Sequence, residues 1–136
     1  HMHLSPADSF VRELYQTFEG RVPFCAGIDS SFRKVYPVVF EDKRRVPIGL
    51  IAVAPVKGNP LMVQLFHVSS FVISKGHGRQ IMNYVCQLAD KYKASIYLQA
   101  EVQFTDQKTP VGEELVNWYR QFGFIGTGVM RREPNV

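Results

Sequence analysis

The segment with the clearest chemical potential joins an apolar strand to a helix through a loop that contains two glycines. It runs from His67 to Gln80, and its glycines are Gly76 and Gly78. Such a junction directs free backbone N–H groups and the positive end of the helix dipole toward one point. Glycine also lets the backbone approach a bound anion closely. The segment therefore predicts a phosphate-binding site.

Two common phosphate-binding motifs do not fit this segment. A P-loop would close with Gly-Lys-Ser/Thr, and no such sequence follows Gly78. A dinucleotide-binding fingerprint needs a third glycine where Ile81 stands, and a parallel sheet before it. A loop whose glycines serve only its geometry is the alternative interpretation.

The elements before this loop are predicted as one helix and three strands. Ser5 is a capping residue followed by Pro6, and the apolar spacing after them predicts an amphipathic helix that ends near Gly20. Three runs of apolar and β-branched residues then predict strands separated by short charged or glycine-containing turns, as in an antiparallel meander. These strands are Val35 to Phe40, Pro47 to Val53 and Leu61 to Val68.

After the loop the apolar period changes to 3.6 residues, which predicts a helix from His77 to Tyr92. A strand from Ala94 to Val102 follows. Thr109 and Pro110 predict the start of a short helix that stops at Gly123, and Phe124 to Arg132 is predicted as one last strand.

Composition indicates a single folded domain over residues 1–136, in which His1 and Met2 resemble a cloning remnant. The chain is 46% hydrophobic and lacks an apolar run long enough to span a membrane, so we expect a cytoplasmic protein. Two cysteines and scattered histidines predict neither a disulfide framework nor a metal site.

The net charge of +4 is the only compositional indication of a partner. Basic clusters stand at Lys43-Arg44-Arg45 and Arg131-Arg132. They favour anionic partners, such as phosphorylated cofactors or nucleic acid, although a solvated basic surface is the simpler interpretation.

Two motifs resemble those of the GNAT superfamily of N-acetyltransferases. The first is the loop Ile73-Ser74-Lys75-Gly76-His77-Gly78, and the second is Trp118-Tyr119-Arg120-Gln121-Phe122-Gly123-Phe124. The spacing and the polar insert before the second motif also resemble small acetyltransferases of phages and mobile elements. The resemblance implies an α/β (α+β) fold with a mixed, mostly antiparallel central sheet flanked by helices.

The resemblance implies acetyl-CoA as the cosubstrate. Backbone amides of the loop would hold its pyrophosphate, and the preceding strand would lie against its pantetheine arm in a gap between splayed strands. Ile73 departs from the Arg or Gln that the family places there. The implied cofactor-binding residues are Phe66, His67, Val68, Ile73, Ser74, Lys75, Gly76, His77, Gly78, Arg79 and Gln80.

Acyl transfer to an amine needs an acid for the departing thiolate and a base for the amine. The resemblance assigns the acid to Tyr119, with a core tyrosine as the alternative. No carboxylate stands on the strand before the loop, so His67, Glu101 and a water chain remain as bases. His67 has a suitable ordinary pKa, but each of these side chains also has a purely structural interpretation.

The function predicted in this way is N-acetylation of a primary amine on a small molecule, a protein or an aminoacyl-tRNA. A non-catalytic binding or assembly module that retains the fold is the alternative, for which exposed aromatic residues such as Trp118 or Phe71 would matter more than the loop. A homodimer is the default expectation for the assembly.

Overall fold

The computed structural model of the chain describes residues 4–18, 28–29, 34–35, 37–71, 76–100 and 113–135. Its helices are α1 (Pro6–Thr17), α2 (His77–Tyr92) and α3 (Glu113–Arg120). Its strands are β1 (Ile28–Asp29), β2 (Lys34–Val35), β3 (Val38–Glu41), β4 (Pro47–Val56), β5 (Asn59–Ser70), β6 (Ser95–Gln99), β7 (Ile125–Gly126) and β8 (Val129–Arg132).

Helix α1 starts where its capping signal predicts. The Ser5 hydroxyl accepts the N–H of Asp8 at 3.1 Å, and Pro6 occupies the first turn, where a missing N–H costs nothing. The helix ends at Thr17, three residues before the predicted end. Phe10 and Leu14 lie on its fully buried face.

The central sheet has six strands in the order β3-β4-β5-β6-β8-β7. The predicted meander is confirmed, since β3 with β4 and β4 with β5 are antiparallel pairs. Strand β5 pairs in parallel with β6, and the remaining pairs are antiparallel. Strands β1 and β2 form a separate pair, which the sequence did not predict. Glu41 is the last residue of β3.

Helix α2 has the bounds that its apolar period predicts, and its apolar stripe is buried against the sheet. At Gly49, strand β4 lies very close to strand β5 and to helix α2. A Cβ atom there would lie 2.2 Å from the Ser69 carbonyl oxygen and 2.7 Å from Cδ1 of Ile81. Only glycine therefore fits between β5 and α2 at this position.

The Tyr15 side chain of α1 forms hydrogen bonds with backbone groups of β4 that no neighbouring strand pairs on that side. The Tyr15 hydroxyl donates to the Val53 carbonyl oxygen at 3.1 Å and accepts the Val53 N–H at 3.2 Å. Strand β3 pairs with β4 only as far as Ile51, so it does not reach these backbone groups. The helix thus satisfies them with a side chain.

The prediction of one final strand is wrong, because this segment forms the hairpin of β7 and β8. Ile125 pairs with Arg131 and Gly126 with Met130. Gly126 has φ of +110°, and a Cβ there would lie 2.4 Å from the Val129 carbonyl oxygen. The two glycines flanking Thr127 are the sequence signal for this turn.

One of the two basic clusters is not a basic surface. The Arg132 side chain is only 5% exposed and donates two hydrogen bonds to the Asp90 carboxylate, at 2.9 and 3.1 Å. It also donates to the Phe122 carbonyl oxygen at 2.7 Å. Its exposed neighbour Arg131 pairs with Glu133. Arg132 therefore ties β8 to α2 and to the turn after α3.

Among the described residues, no helix is long and apolar enough to cross a membrane.

Candidate active site

A gap opens between the two parallel strands at the centre of the sheet. Strands β5 and β6 pair only from Met62 with Ser95 to Gln64 with Tyr97. Beyond that point β6 stays paired with β8 as far as Gln99, while β5 continues to Ser70 along β4. Within the described residues, the second half of β5 thus has backbone groups that β6 does not pair. This end of the pairing is where the predicted splay of the strands would begin.

A bulge in β5 lies at the start of this gap. Ala52 pairs with His67 and Val53 with Leu65, which leaves Phe66 as an extra residue without a partner on β4. Such an insertion bends a strand and redirects its side chains. Phe66 packs against Ala52 and Ala54, apart from the main core.

His67 follows the bulge and is held by a neighbour on its own strand. Its Nε2 atom lies 3.0 Å from the Ser69 hydroxyl oxygen. Burial lowers the pKa of His67 below its ordinary value, which favours the neutral imidazole at neutral pH. A neutral ring is the form that accepts a proton. Ser69 was not among the predicted site residues, although a spacing of two residues on a strand places its side chain on the same face as that of His67.

Strand β5 leads toward the N-terminus of α2, which is arranged differently from that of α1. Its cap residue is Gly76, with φ of +73°, and no side-chain hydrogen bond caps the helix. Its first turn contains no acidic residue, whereas α1 has the Ser5 cap and Asp8. A Cβ at Gly76 would meet nothing within 4 Å. Among the described residues, no side chain caps the positive end of α2, which can therefore accept an anion.

The first turn of α2 contacts the turn after α3 through Arg79. Its guanidinium donates to Oε1 of Gln121 at 2.5 Å and lies 5.2 Å from the centroid of the Phe122 ring. The cation is thus held beside the helix N-terminus while its side chain is directed toward α3. Gln80 is exposed and its N–H bonds to the Gly76 carbonyl oxygen at 3.1 Å. His77 has a buried Nδ1 atom with no hydrogen-bond partner among the described residues.

The candidate acid Tyr119 is fully buried in α3. Its ring packs edge-on against Trp118 at 5.1 Å and Phe124 at 5.6 Å between centroids. Burial raises the pKa of Tyr119, so its hydroxyl stays protonated at neutral pH. The side chain is therefore in the donor state that an acid needs, and it is also a core residue.

Several predicted site residues lie outside the described part of the chain, namely Ile73, Ser74, Lys75 and Glu101. Val68 is fully buried in β5, beside the gap. Cys86 is also buried, and this burial raises the pKa of its thiol to about 11, which suits a core residue and not a nucleophile. The described residues include no group of three His, Cys, Asp or Glu side chains that could hold a metal ion.

Comparison with solved structures gives the fold a known counterpart. A GNAT-family N-acetyltransferase, YhbS from Escherichia coli in complex with CoA, matches with a TM-score of 0.50 at 15% identity, covering 94% of this chain and 67% of that one. An acyl-CoA N-acyltransferase from Pseudomonas aeruginosa has a TM-score of 0.48 at 18% identity, covering 95% and 96% of the two chains. The anti-CRISPR protein AcrVA5 has a TM-score of 0.48 at 20% identity, covering 62% and 88%.

No protein-family model matches the sequence, and no curated protein matches it either. The fold is nevertheless that of the GNAT N-acetyltransferases, with a mixed six-stranded sheet and flanking helices. The fold resemblance predicted from the two motifs is confirmed.

Proposed function

We propose that this protein is an acetyl-CoA-dependent N-acetyltransferase that acts on a primary amine. The observation that carries the proposal is the gap between β5 and β6 together with the open, acid-free N-terminus of α2, to which β5 leads. Unpaired strand groups suit the amides of a pantetheine arm, and a helix N-terminus suits a pyrophosphate. The CoA-bound counterpart in Escherichia coli has the same fold.

In this proposal the backbone of Phe66, His67 and Val68 faces the pantetheine arm. The N–H groups from Gly76 to Arg79 hold the pyrophosphate, and Arg79 adds a cation beside them. Gln80 follows in the same turn, where its N–H bonds to the Gly76 carbonyl oxygen. Lys75, Ser74 and Ile73 complete the loop as the resemblance implies. These residues act by binding and orientation, which removes much of the entropic barrier to acyl transfer.

The chemical step is direct attack. The amine nitrogen forms a bond to the thioester carbonyl carbon, the carbon–sulfur bond breaks, and the nitrogen loses one proton while the thiolate gains one. Tyr119 is the proposed donor to the thiolate. His67 accepts the amine proton, directly or through water, because its ring is neutral; Glu101 remains the other proposed base.

Thermal unfolding with and without ligand tests the cofactor. Acetyl-CoA at about 100 times its dissociation constant should stabilise the fold by about 2.7 kcal/mol. For a domain of this size, that raises the melting temperature by about 10 °C. Free CoA should act similarly and AMP much less. No shift at millimolar acetyl-CoA would refute the proposal.

A matched pair of variants locates the binding site. Gly78→Glu puts a carboxylate in the first turn of α2 and should abolish the shift by repelling the pyrophosphate. Gln16→Glu adds the same charge at an exposed position of α1 and should keep the shift. If acetyl-CoA raises the melting temperature of both variants equally, the cofactor binds elsewhere.

A non-catalytic binding module is the second candidate. The full burial of Tyr119 and the half-exposed side chain of Phe71, which is 51% exposed, favour it. It predicts no release of free CoA thiol with any amine. Release of CoA thiol in the presence of a lysine peptide, a polyamine or an aminoacyl-tRNA would exclude it and would identify the acceptor class.

A further inference from the structure

The hydrogen-bonded pair of His67 and Ser69 lies on the face of the sheet opposite to the main core. His67 pairs across the strands with Ala52, which belongs to a small cluster apart from that core. The core cluster contains residues of α1, α2 and α3, among them Tyr119, packed on the other face. Residues that are paired across two strands share a face of the sheet. The proposed base and the proposed acid therefore lie on opposite faces.

Pairing with β4 fixes the positions of both side chains. His67 pairs with Ala52 and Ser69 pairs with Leu50, so the backbone at each end of the contact is held by the sheet. The distance of 3.0 Å between Nε2 of His67 and the Ser69 oxygen is that of an ordinary hydrogen bond. Ser69 is only 8% exposed, whereas His67 is partly exposed. The imidazole is thus the member of the pair that a substrate can reach.

The contact between the two side chains admits two arrangements of hydrogen atoms. In the first, the Nε2–H of His67 donates to the Ser69 oxygen, and Nδ1 has a free lone pair. In the second, the Ser69 hydroxyl donates to Nε2, and Nδ1 carries the ring hydrogen. Among the described residues, none forms a hydrogen bond with Nδ1. Only in the first arrangement can the neutral ring accept a proton from a substrate at Nδ1.

The surroundings of His67 favour its neutral form. Burial lowers its pKa, and no charged side chain of the described residues adds to this effect. On the same face, the paired stretch of β4 presents only leucine and alanine, and β6 presents Tyr97. On the next strand, Arg131 is already paired with Glu133. The hydroxyl of Ser69 is thus the group that decides which ring nitrogen carries the hydrogen.

We propose that Ser69 is a positioning residue that accepts the Nε2–H of His67 and so makes Nδ1 the atom that takes the proton of the amine. The inference rests on the proposed function, because that proton comes from the amine that attacks acetyl-CoA. The ring becomes an imidazolium, its bond to Ser69 becomes charge-assisted, and the proton then passes to water. Attack by Ser69 itself on the thioester is the competing role. It needs the second arrangement and a serine oxygen that reaches the carbonyl carbon, which the low exposure of Ser69 disfavours.

Nitrogen-15 NMR of the full chain, without ligand and at a pH where His67 is neutral, tests the arrangement. Nε2 of His67 should resonate as a protonated nitrogen and Nδ1 as an unprotonated one. Ser69→Ala should move the two resonances toward each other, because both tautomers are then populated. Ser69→Thr keeps the hydroxyl and should keep the resonances of the parent protein. Ser70→Ala is the matched control, since Ser70 is the next residue of β5 and faces the other way.

Turnover shows whether Ser69 acts through His67. The assay is release of CoA thiol from acetyl-CoA with a lysine peptide, a polyamine or an aminoacyl-tRNA as the amine. His67→Gln should lower kcat about 100-fold. Ser69→Ala should lower it about tenfold, as loss of one hydrogen bond to a charged group does, and should lower it no further when combined with His67→Gln. Ser70→Ala should keep the kcat of the parent protein, and urea unfolding checks that each variant is folded.

The possible failures are distinguishable. A protonated Nδ1 in the parent protein would overturn the inference, and that measurement needs no variant. The same holds if Ser69→Ala lowers kcat equally with and without His67, or if mass spectrometry finds an acetyl group on Ser69 after mixing with acetyl-CoA. Each of these results leaves acetyl transfer standing. Absence of thiol release with all three amines would instead refute the proposed function, and the role of Ser69 would fall with it.

Discussion

Replacing Gly49 by alanine should destabilise the fold strongly, since this position has no room for a methyl group. The added Cβ would lie 2.2 Å from the Ser69 carbonyl oxygen, and an ordinary contact of this kind is about 3.3 Å. The two strands must then separate by about 1 Å. Ile81 can rotate away, but the oxygen of Ser69 belongs to the backbone of β5 and cannot move without disturbing the pairing of β4 with β5.

Overpacking of this kind costs about 3 kcal/mol of the free energy of unfolding. In a domain of this size the melting temperature should fall by about 10 °C. Because the same strand pair leads to the gap and to α2, the acetyl-CoA shift should shrink as well. Urea unfolding gives the free energy, and a calorimetric scan gives the melting temperature.

Gly58→Ala is the matched control. Gly58 lies in the turn between β4 and β5 with φ of +80°, and a Cβ there would meet nothing within 4 Å. This variant should lose only about 1 kcal/mol, for the left-handed backbone. If the free energies of unfolding of Gly49→Ala and Gly58→Ala differ by less than about 1 kcal/mol, the expected steric clash at Gly49 is refuted.

Three further perturbations have defined outcomes. Burial alone would raise the pKa of Asp90, but the bonds from Arg132 and Asn135 outweigh it and lower the pKa. Asp90→Asn should therefore lower the free energy of unfolding by about 3 kcal/mol at pH 7, measured by urea unfolding. The difference from the parent protein should shrink as the pH falls below about 4, because the carboxylate becomes protonated as the pH passes through the lowered pKa of Asp90 in the folded protein. Tyr15→Phe should cost about 1 to 2 kcal/mol, measured in the same way, because two backbone groups of Val53 lose their partner. Tyr119→Phe should lower kcat for acetyl transfer about 100-fold with little change in KM for acetyl-CoA, and an unchanged kcat would remove its role as acid.

Local patterns predicted the elements that dominate the fold. The apolar period placed α2 at its observed bounds, and the Ser5 cap placed the start of α1. Both signals lie within one element, so neighbouring residues suffice to read them. The hairpin of β7 and β8 was missed because its strands have only two and four residues, too few to show a period on either side of the turn at Gly126.

Contacts between distant residues could not be predicted in this way. Arg132 looked like half of a basic surface, but its partner Asp90 lies 42 positions earlier in the chain. The bulge at Phe66 depends on the register of β4 against β5, which no single strand encodes.

The contact between Tyr15 and Val53 also has a consequence for self-association. Unsatisfied N–H and C=O groups along a strand invite a strand from another molecule to pair with them. At Val53 one hydroxyl occupies both groups, so α1 protects this stretch of β4 from such pairing. A chain that lost α1 would expose both its apolar core and a pairing-competent strand. The N-terminal helix thus protects the protein against aggregation by strand pairing between molecules.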